Sequence, residues 1–209
     1  MAKKGPYTVH VVVEGVGRGL LMHKFSTGAS ASLEQEVKKT KSAHGTPQEE
    51  AEQAAYRLAS GNGHLGQLML PAEHFLGAIT NAGSGLQVRG KGKATYKKLF
   101  KGALDIEPDY IGLSSNAGET LHNYAVDSRP VKIKATQGRV MRHRPHLIDW
   151  RAEFNVVVRN DGIPLEVLEA AIADAGQSQC VGDYRPRYGT FRIVRCERVA
   201  DEAGEEIES

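Results

Sequence analysis

The run CVGDYRPRYGTFRIV, Cys180–Val194, decides how this chain is read, because it sets a glycine-framed basic and aromatic loop between a helix and the last strand. Before it, IPLEVLEAAIADAG opens on Pro164, repeats Leu165, Leu168 and Ile172 on one face and closes on a glycine, which predicts a helix over 164–175. After it, GTFRIVRCE predicts a strand over 189–198. Within the loop, Gly182 and Gly189 can take positive φ or let another backbone approach, and Pro186 stiffens the middle. Tyr184, Arg185, Arg187 and Tyr188 add planar cations and rings. Such a loop suits a phosphate-bearing polymer. A structured connection, with glycines that only solve a turn and solvated arginines, fits the same residues.

Working outward, IDWRAEFNVVVR puts Trp150, Ala152, Phe154, Val156 and Val158 on one face and predicts a strand over 149–159. PVKIKATQGRVMR predicts a strand over 130–142 with a bulge near Gly138, and RHRPH reads as a basic connection to the next strand. YTVHVVVEG predicts a mid-sheet strand over 7–14. LPAEHFLGAITNAG predicts a helix over 71–82, with Pro71 at its start, Gly83 at its end and Phe75, Leu76 and Ile79 as its apolar stripe. The order is βαββαβ. It predicts an α+β fold on the ferredoxin-like (RRM-like) plan, an antiparallel sheet with both helices on one side.

Large insertions around the first helix, about 26–68 and 84–128, complete a single elaborated domain over 1–199. The polar stretch from Ser26 to His44 reads as an exposed excursion. Thr46, Pro47 and Glu49 predict a capped helix start, Asn62 and Gly63 a turn, and LGQLML a short strand or extended lead-in. Gly90 and Gly92 read as a mobile lead into ATYKKLFKGAL, a helix that buries Tyr96, Leu99 and Phe100. Ile106–Asp127, rich in turn residues, reads as an irregular insertion outside the core.

A single ferredoxin-like unit with a glycine-rich loop between its second helix and last strand resembles the RAMP superfamily, the RNA-binding proteins of CRISPR systems. The residues that carry the resemblance are VGDYRPRYGTFRIV and the order of elements. It implies that Gly182, Arg185, Arg187 and Gly189 lie near a nucleic-acid backbone. It also implies a backbone-type subunit that multimerises along a strand.

Charge is distributed to match. Net charge is +2, yet Glu197–Ser209 holds six acids against Arg198, so the preceding residues hold 26 basic and 19 acidic side chains, a net of +7. An acidic tail over 200–209 follows a basic body. Arg89, Lys91, Lys93, Lys97, Lys98 and Lys101 form the densest positive segment, with no acid among them, and Arg139, Arg142 and Arg144 form a second. With Gly182, Tyr184, Arg185, Arg187 and Gly189 they are the predicted nucleic-acid contacts, single-stranded RNA being favoured over DNA. The polar face of 149–159 offers no aromatic pair for base stacking, so loops and cations are expected to do the binding.

Other chemistries find little support. Gly15, Gly17 and Gly19 lack dinucleotide-loop spacing, and no Cys-x-x-Cys or His-Glu-x-x-His pattern marks a metal site. Asp149 and Glu153 would stand about 13 Å apart on one strand, too far to share an ion. No catalytic residue, cofactor or metal is predicted. Two other readings stay open: an assembly protein of a phage or mobile element, and a metal-independent ribonuclease with His10, His23 or His143 as general base. The partner is expected to be nucleic acid, in a homo-oligomer or larger ribonucleoprotein, with no membrane. No apolar run approaches the roughly 20 residues of a membrane span, and MAKKGPYT lacks a signal-peptide core, so a cytoplasmic protein with two reduced thiols, Cys180 and Cys196, is expected.

Overall fold

The structure, a computed structural model, describes residues 6–24, 45–60, 65–132, 138–160 and 162–199. In chain order its elements are β1 (Tyr7–Gly15), β2 (Leu20–Leu21), α1 (Pro47–Ala54), β3 (Met69–Pro71), α2 (Ala72–Ala82), α3 (Tyr96–Ala103), β4 (Leu104–Glu107), β5 (Tyr110–Ser114), β6 (Ala125–Lys132), β7 (Arg139–Leu147), β8 (Arg151–Val158), α4 (Leu165–Asp174) and β9 (Phe191–Arg198). A π-turn over Ala175–Gln179 extends α4. The excursion over 26–44, the Asn62–Gly63 turn and the tail over 200–209 lie outside the described residues.

Valines on successive positions of β1 suit a central strand, and β1 pairs antiparallel with β8 on one flank and β9 on the other. The larger sheet runs β3-β5-β8-β1-β9, with β4 also paired to β8. A smaller sheet runs β2-β7-β6. All these pairings are antiparallel, so the fold is mixed α+β.

Alternation divides the large sheet into two faces. Val9, Val11, Val13, Ala152, Phe154, Val156 and Val158 are buried, in one core with residues of α2 and α4. Phe75 of α2 packs on Phe154 and Phe191, with ring centroids 4.7 and 5.9 Å apart. The other face carries His10, Glu14, Arg151, Glu153 and Asn155. It is held by local pairs, His10 to Glu153 at 3.2 Å and Arg192 to Glu14 at 3.2 Å.

Three expectations are corrected. The predicted strand over 130–142 is not a member of the large sheet: β6 and β7 form a hairpin in the smaller sheet, and RHRPH, read as a connection, lies inside β7. The place beside β8 is taken by 104–114, read from Ile106 on as irregular. β4 and β5 pair with β8 from Leu104↔Val158 to Ser114↔Arg151, one strand interrupted at Pro108 and Asp109. Gly176 is not a helix cap either. It lies in the π-turn, where a Cβ would fall 2.2 Å from the Phe191 carbonyl oxygen, so close packing requires it.

The smaller elements follow their sequence signals. Thr46 and Glu49 form the reciprocal capping box of α1, with Thr46 N–H donating to Glu49 Oε2 at 2.8 Å and Glu49 N–H to Thr46 Oγ1 at 3.3 Å. The lead into α3 is a hydrogen-bonded turn and not a loose segment. Val88 N–H donates to Ala94 O, Lys91 N–H to Val88 O and Ala94 N–H to Lys91 O, with Gly90 and Gly92 at positive φ.

Candidate nucleic-acid interface

The loop 180–190 is pinned to the chain's own backbone. Asp183 N–H donates to Leu21 O at 2.8 Å, Gly189 N–H to Gly19 O at 2.8 Å and Val181 N–H to Gly189 O at 3.0 Å. Gly182 and Gly189 both have φ near +75°. A Cβ on Gly182 would sit 2.5 Å from Leu21 O, and one on Gly189 would sit 1.7 Å from Val181 O. The backbone these glycines admit is therefore internal, so their identity follows from packing. Cys180, with ψ 171°, and Tyr184 also hold φ 57°, sparsely populated conformations that cost about 1–3 kcal/mol each, which the anchoring must offset.

The side chains of the loop dock on one face of the β6–β7 hairpin. Register sets Asp127 opposite Arg144 and Arg129 opposite Arg142. Arg129 forks onto Asp127 through two hydrogen bonds, donates to Tyr188 Oη at 2.7 Å, and lies 5.1 and 4.8 Å from the ring centroids of Tyr184 and Tyr188. The Arg129 fork, more than any other contact, holds the Asp127 carboxyl below the usual carboxylate range. Arg144 is buried, with its guanidinium 5.1 Å from the Tyr184 ring and its Nε 2.7 Å from Asp183 Oδ2. That approach lies off the N–H direction, so the contact is a Coulombic pair rather than an aligned hydrogen bond. His146 closes the stack edge-on to Tyr188 at 5.7 Å and bonds to Arg18 O at 2.7 Å.

The predicted contacts therefore divide. Arg185 and Arg187 are exposed at the loop tip, and Arg139 is exposed at the start of β7. Arg142 is half-buried, 3.9 Å from Glu50. Arg144, Gly189 and, in larger part, Tyr184 and Gly182 hold the loop in place. Sequence reasoning missed Arg129, whose only signal was Asp127 two residues earlier on the same strand face, and Arg18, exposed beside the Gly19 anchor.

Arg89, Lys91, Lys93, Lys97, Lys98 and Lys101 are all exposed but elsewhere. The loop adjoins the end of the sheet where Glu14 meets Arg151, with Val16 N–H on Thr190 O. α3 ends at the other, where Arg159 N–H bonds to Ala103 O beside the Tyr7↔Val158 pair. Seven strand steps separate these ends, about 23 Å. Tyr96 is buried against Phe100 and offers no ring to a base.

The histidines considered for catalysis stand on different elements. Both ring nitrogens of His10 are engaged, Nε2 with Glu153 and Nδ1 with Asn155 at 3.2 Å. His143 Nδ1 meets Ser128 Oγ at 2.7 Å. Burial, then the Arg144 charge, holds the imidazole of His23 below its ordinary value. Among the described residues no three His, Cys, Asp or Glu side chains gather to hold a metal ion. Both cysteines are free thiols, and burial pushes Cys196 up to about 11. No helix among the described residues is long and apolar enough to cross a membrane. No protein-family model matches the chain, and no curated protein matches it.

Proposed function

We propose that this chain is a non-enzymatic, cytoplasmic protein that binds single-stranded nucleic acid, RNA in preference to DNA, by the backbone. Its core would be an elaborated ferredoxin-like unit similar to the RAMP superfamily, with copies multimerising along the strand. The strand order supports the fold: β9-β1-β8 followed by β4 and β5, with α2 and α4 against one face, matches a βαββαβ plan whose second strand is 104–114.

The observation that carries the binding reading is the loop 180–190. Its tyrosines and Asp183 are consumed in fixing it to the hairpin, while Arg185 and Arg187 are left exposed at its tip. A loop held this firmly presents its cations at little ordering cost. With its rings engaged by Arg129 and Arg144, recognition rests on the sugar–phosphate backbone, where the 2′-hydroxyl separates RNA from DNA, so affinity is insensitive to base identity and falls steeply with salt.

Fluorescence anisotropy with a labelled 15-nucleotide RNA, on protein stripped of co-purifying nucleic acid, tests this across a sodium chloride series. Binding at low salt that weakens linearly in log–log form is expected. Absent binding, or binding indifferent to salt, would sink the proposal.

A further inference from the structure

Two cations of the α3 segment, Lys91 and Lys98, line a cleft at the end of the sheet opposite the glycine loop. It encloses about 530 Å³, within the range of about 300–1,000 Å³ typical of small-molecule sites. Val88, Leu99 and Ala103 supply an apolar wall, and Lys91, Lys98 and Arg159 bring positive charge from three different elements. Thr95 and Asn160 add neutral polar groups. The Thr95 side chain makes no cap bond to α3, and Asn160 Oδ1 accepts from Gly162 N–H, leaving its amide nitrogen as a donor.

Charge here is poorly compensated. Arg159 pairs with Asp105, but among the described residues no acid forms an ion pair with Lys91 or Lys98. An anion between the two lysines relieves their repulsion, and a planar apolar body fills the wall beside it. A solvated lysine face needs no such wall.

We propose that this cleft is a separate site for a nucleoside phosphate, with the phosphate on Lys91 and Lys98 and the nucleoside against Val88, Leu99 and Ala103. The ligand is either a free mononucleotide or the phosphorylated end of a strand, which present the same chemistry. The site does not depend on the strand-binding reading, since the loop and the cleft lie about 23 Å apart.

Isothermal titration of the full chain with uridine 5′-monophosphate, with a 5′-phosphorylated trinucleotide and with inorganic phosphate tests it. Three variants are compared: Lys91→Glu with Lys98→Glu, Arg185→Glu with Arg187→Glu, and Lys93→Glu. Lys93 is exposed on the same turn but outside the cleft lining, so it makes a like-signed charge reversal without touching the site. The cleft variant is expected to lose tenfold or more in affinity, with the loop variant and Lys93→Glu staying within about twofold of the wild type. Mononucleotide binding assigns a free nucleotide; trinucleotide binding alone assigns a strand end where the cleft variant removes it, and trinucleotide binding that only the loop variant removes belongs to the loop and overturns the proposal. No binding of either at millimolar concentration overturns the proposal, as does a Lys93→Glu loss equal to that of the cleft variant, or inorganic phosphate binding as tightly as the nucleotide. Failure here with intact salt-dependent RNA binding leaves the strand reading standing; the reverse result removes that reading alone.

Discussion

Replacing Gly189 by alanine tests whether the glycine loop is built by internal packing. Gly189 has φ +75°, and a Cβ there would stand 1.7 Å from Val181 O and 2.9 Å from Val181 N. Forcing an L-residue into this conformation costs about 1–2 kcal/mol. The collision is with backbone, so the segment must shift, loosening Val181 N–H on Gly189 O and Gly189 N–H on Gly19 O, at about 1 kcal/mol or more each. The total is roughly 3–5 kcal/mol, which at about 2–4 °C per kcal/mol for a chain of this size lowers Tm by roughly 6–20 °C. Gly90 supplies the comparison. It has nearly the same φ, +74°, with nothing within 4 Å of the added Cβ, so Gly90→Ala carries only the conformational cost, about 1–2 kcal/mol. The difference between the two variants isolates the packing contribution, about 2–3 kcal/mol. Calorimetry on both variants at one pH measures it. Equal Tm losses would refute the argument that close packing against Val181 and Gly19 requires this glycine.

Arg185→Ala with Arg187→Ala should leave Tm unchanged, since both side chains are exposed, and should flatten the log–log salt dependence of RNA binding by about 1.4, or roughly 0.7 for each phosphate no longer neutralised; an unchanged slope would place the strand elsewhere. Arg129→Lys keeps the charge but removes the fork on Asp127 and the position between two tyrosine rings, so it should cost about 1–2 kcal/mol in urea denaturation and weaken RNA binding. Burial, with Arg185 as a further cause, holds His74 below the ordinary imidazole value of 6.5, and burial and Arg144 do the same for His23. The unfolded chain therefore takes up protons first as pH falls, so the neutral-imidazole contribution is complete above pH 6.5 and lost below it. Denaturation midpoints from pH 8 to 5 should fall below 6.5, and less so in His74→Gln; a flat profile would show that neither imidazole is held neutral.

The strands that alternate cleanly were legible in the sequence. In β1 from Val9 to Val13 and in β8 from Ala152 to Val158 every second residue is a valine, phenylalanine or alanine that becomes core, so period and burial agree. The helices were legible for a similar reason, through Pro71, Pro164 and the Thr46 capping box. The strand beside β8 was hidden because it is made in two pieces of four and five residues, split by Pro108 and Asp109, each too short for a periodicity to register. The hairpin was hidden by the opposite fault. A β-prone pattern runs through 130–142, and in RHRPH a proline and two arginines outweighed the pairing that β7 makes with both β2 and β6.

Charge was the least transferable signal, because sequence shows how many cations a segment has and not what they face. Arg144 and Arg185 are of one residue type and carry one formal charge, yet Arg144 is buried between an aspartate and a ring while Arg185 stands in solvent. A buried guanidinium is tolerated only where a carboxylate and a polarisable face replace its water, and Asp183 and Tyr184 supply both from the loop itself. The acid that lowers the loop's net charge is therefore also what allows Arg144 to hold it. Asp183→Asn should weaken the loop's attachment more than it strengthens its attraction for phosphate. Its prediction is lower RNA affinity despite a more positive protein, and a rise in affinity measured by anisotropy would show that net charge, and not placement, governs binding.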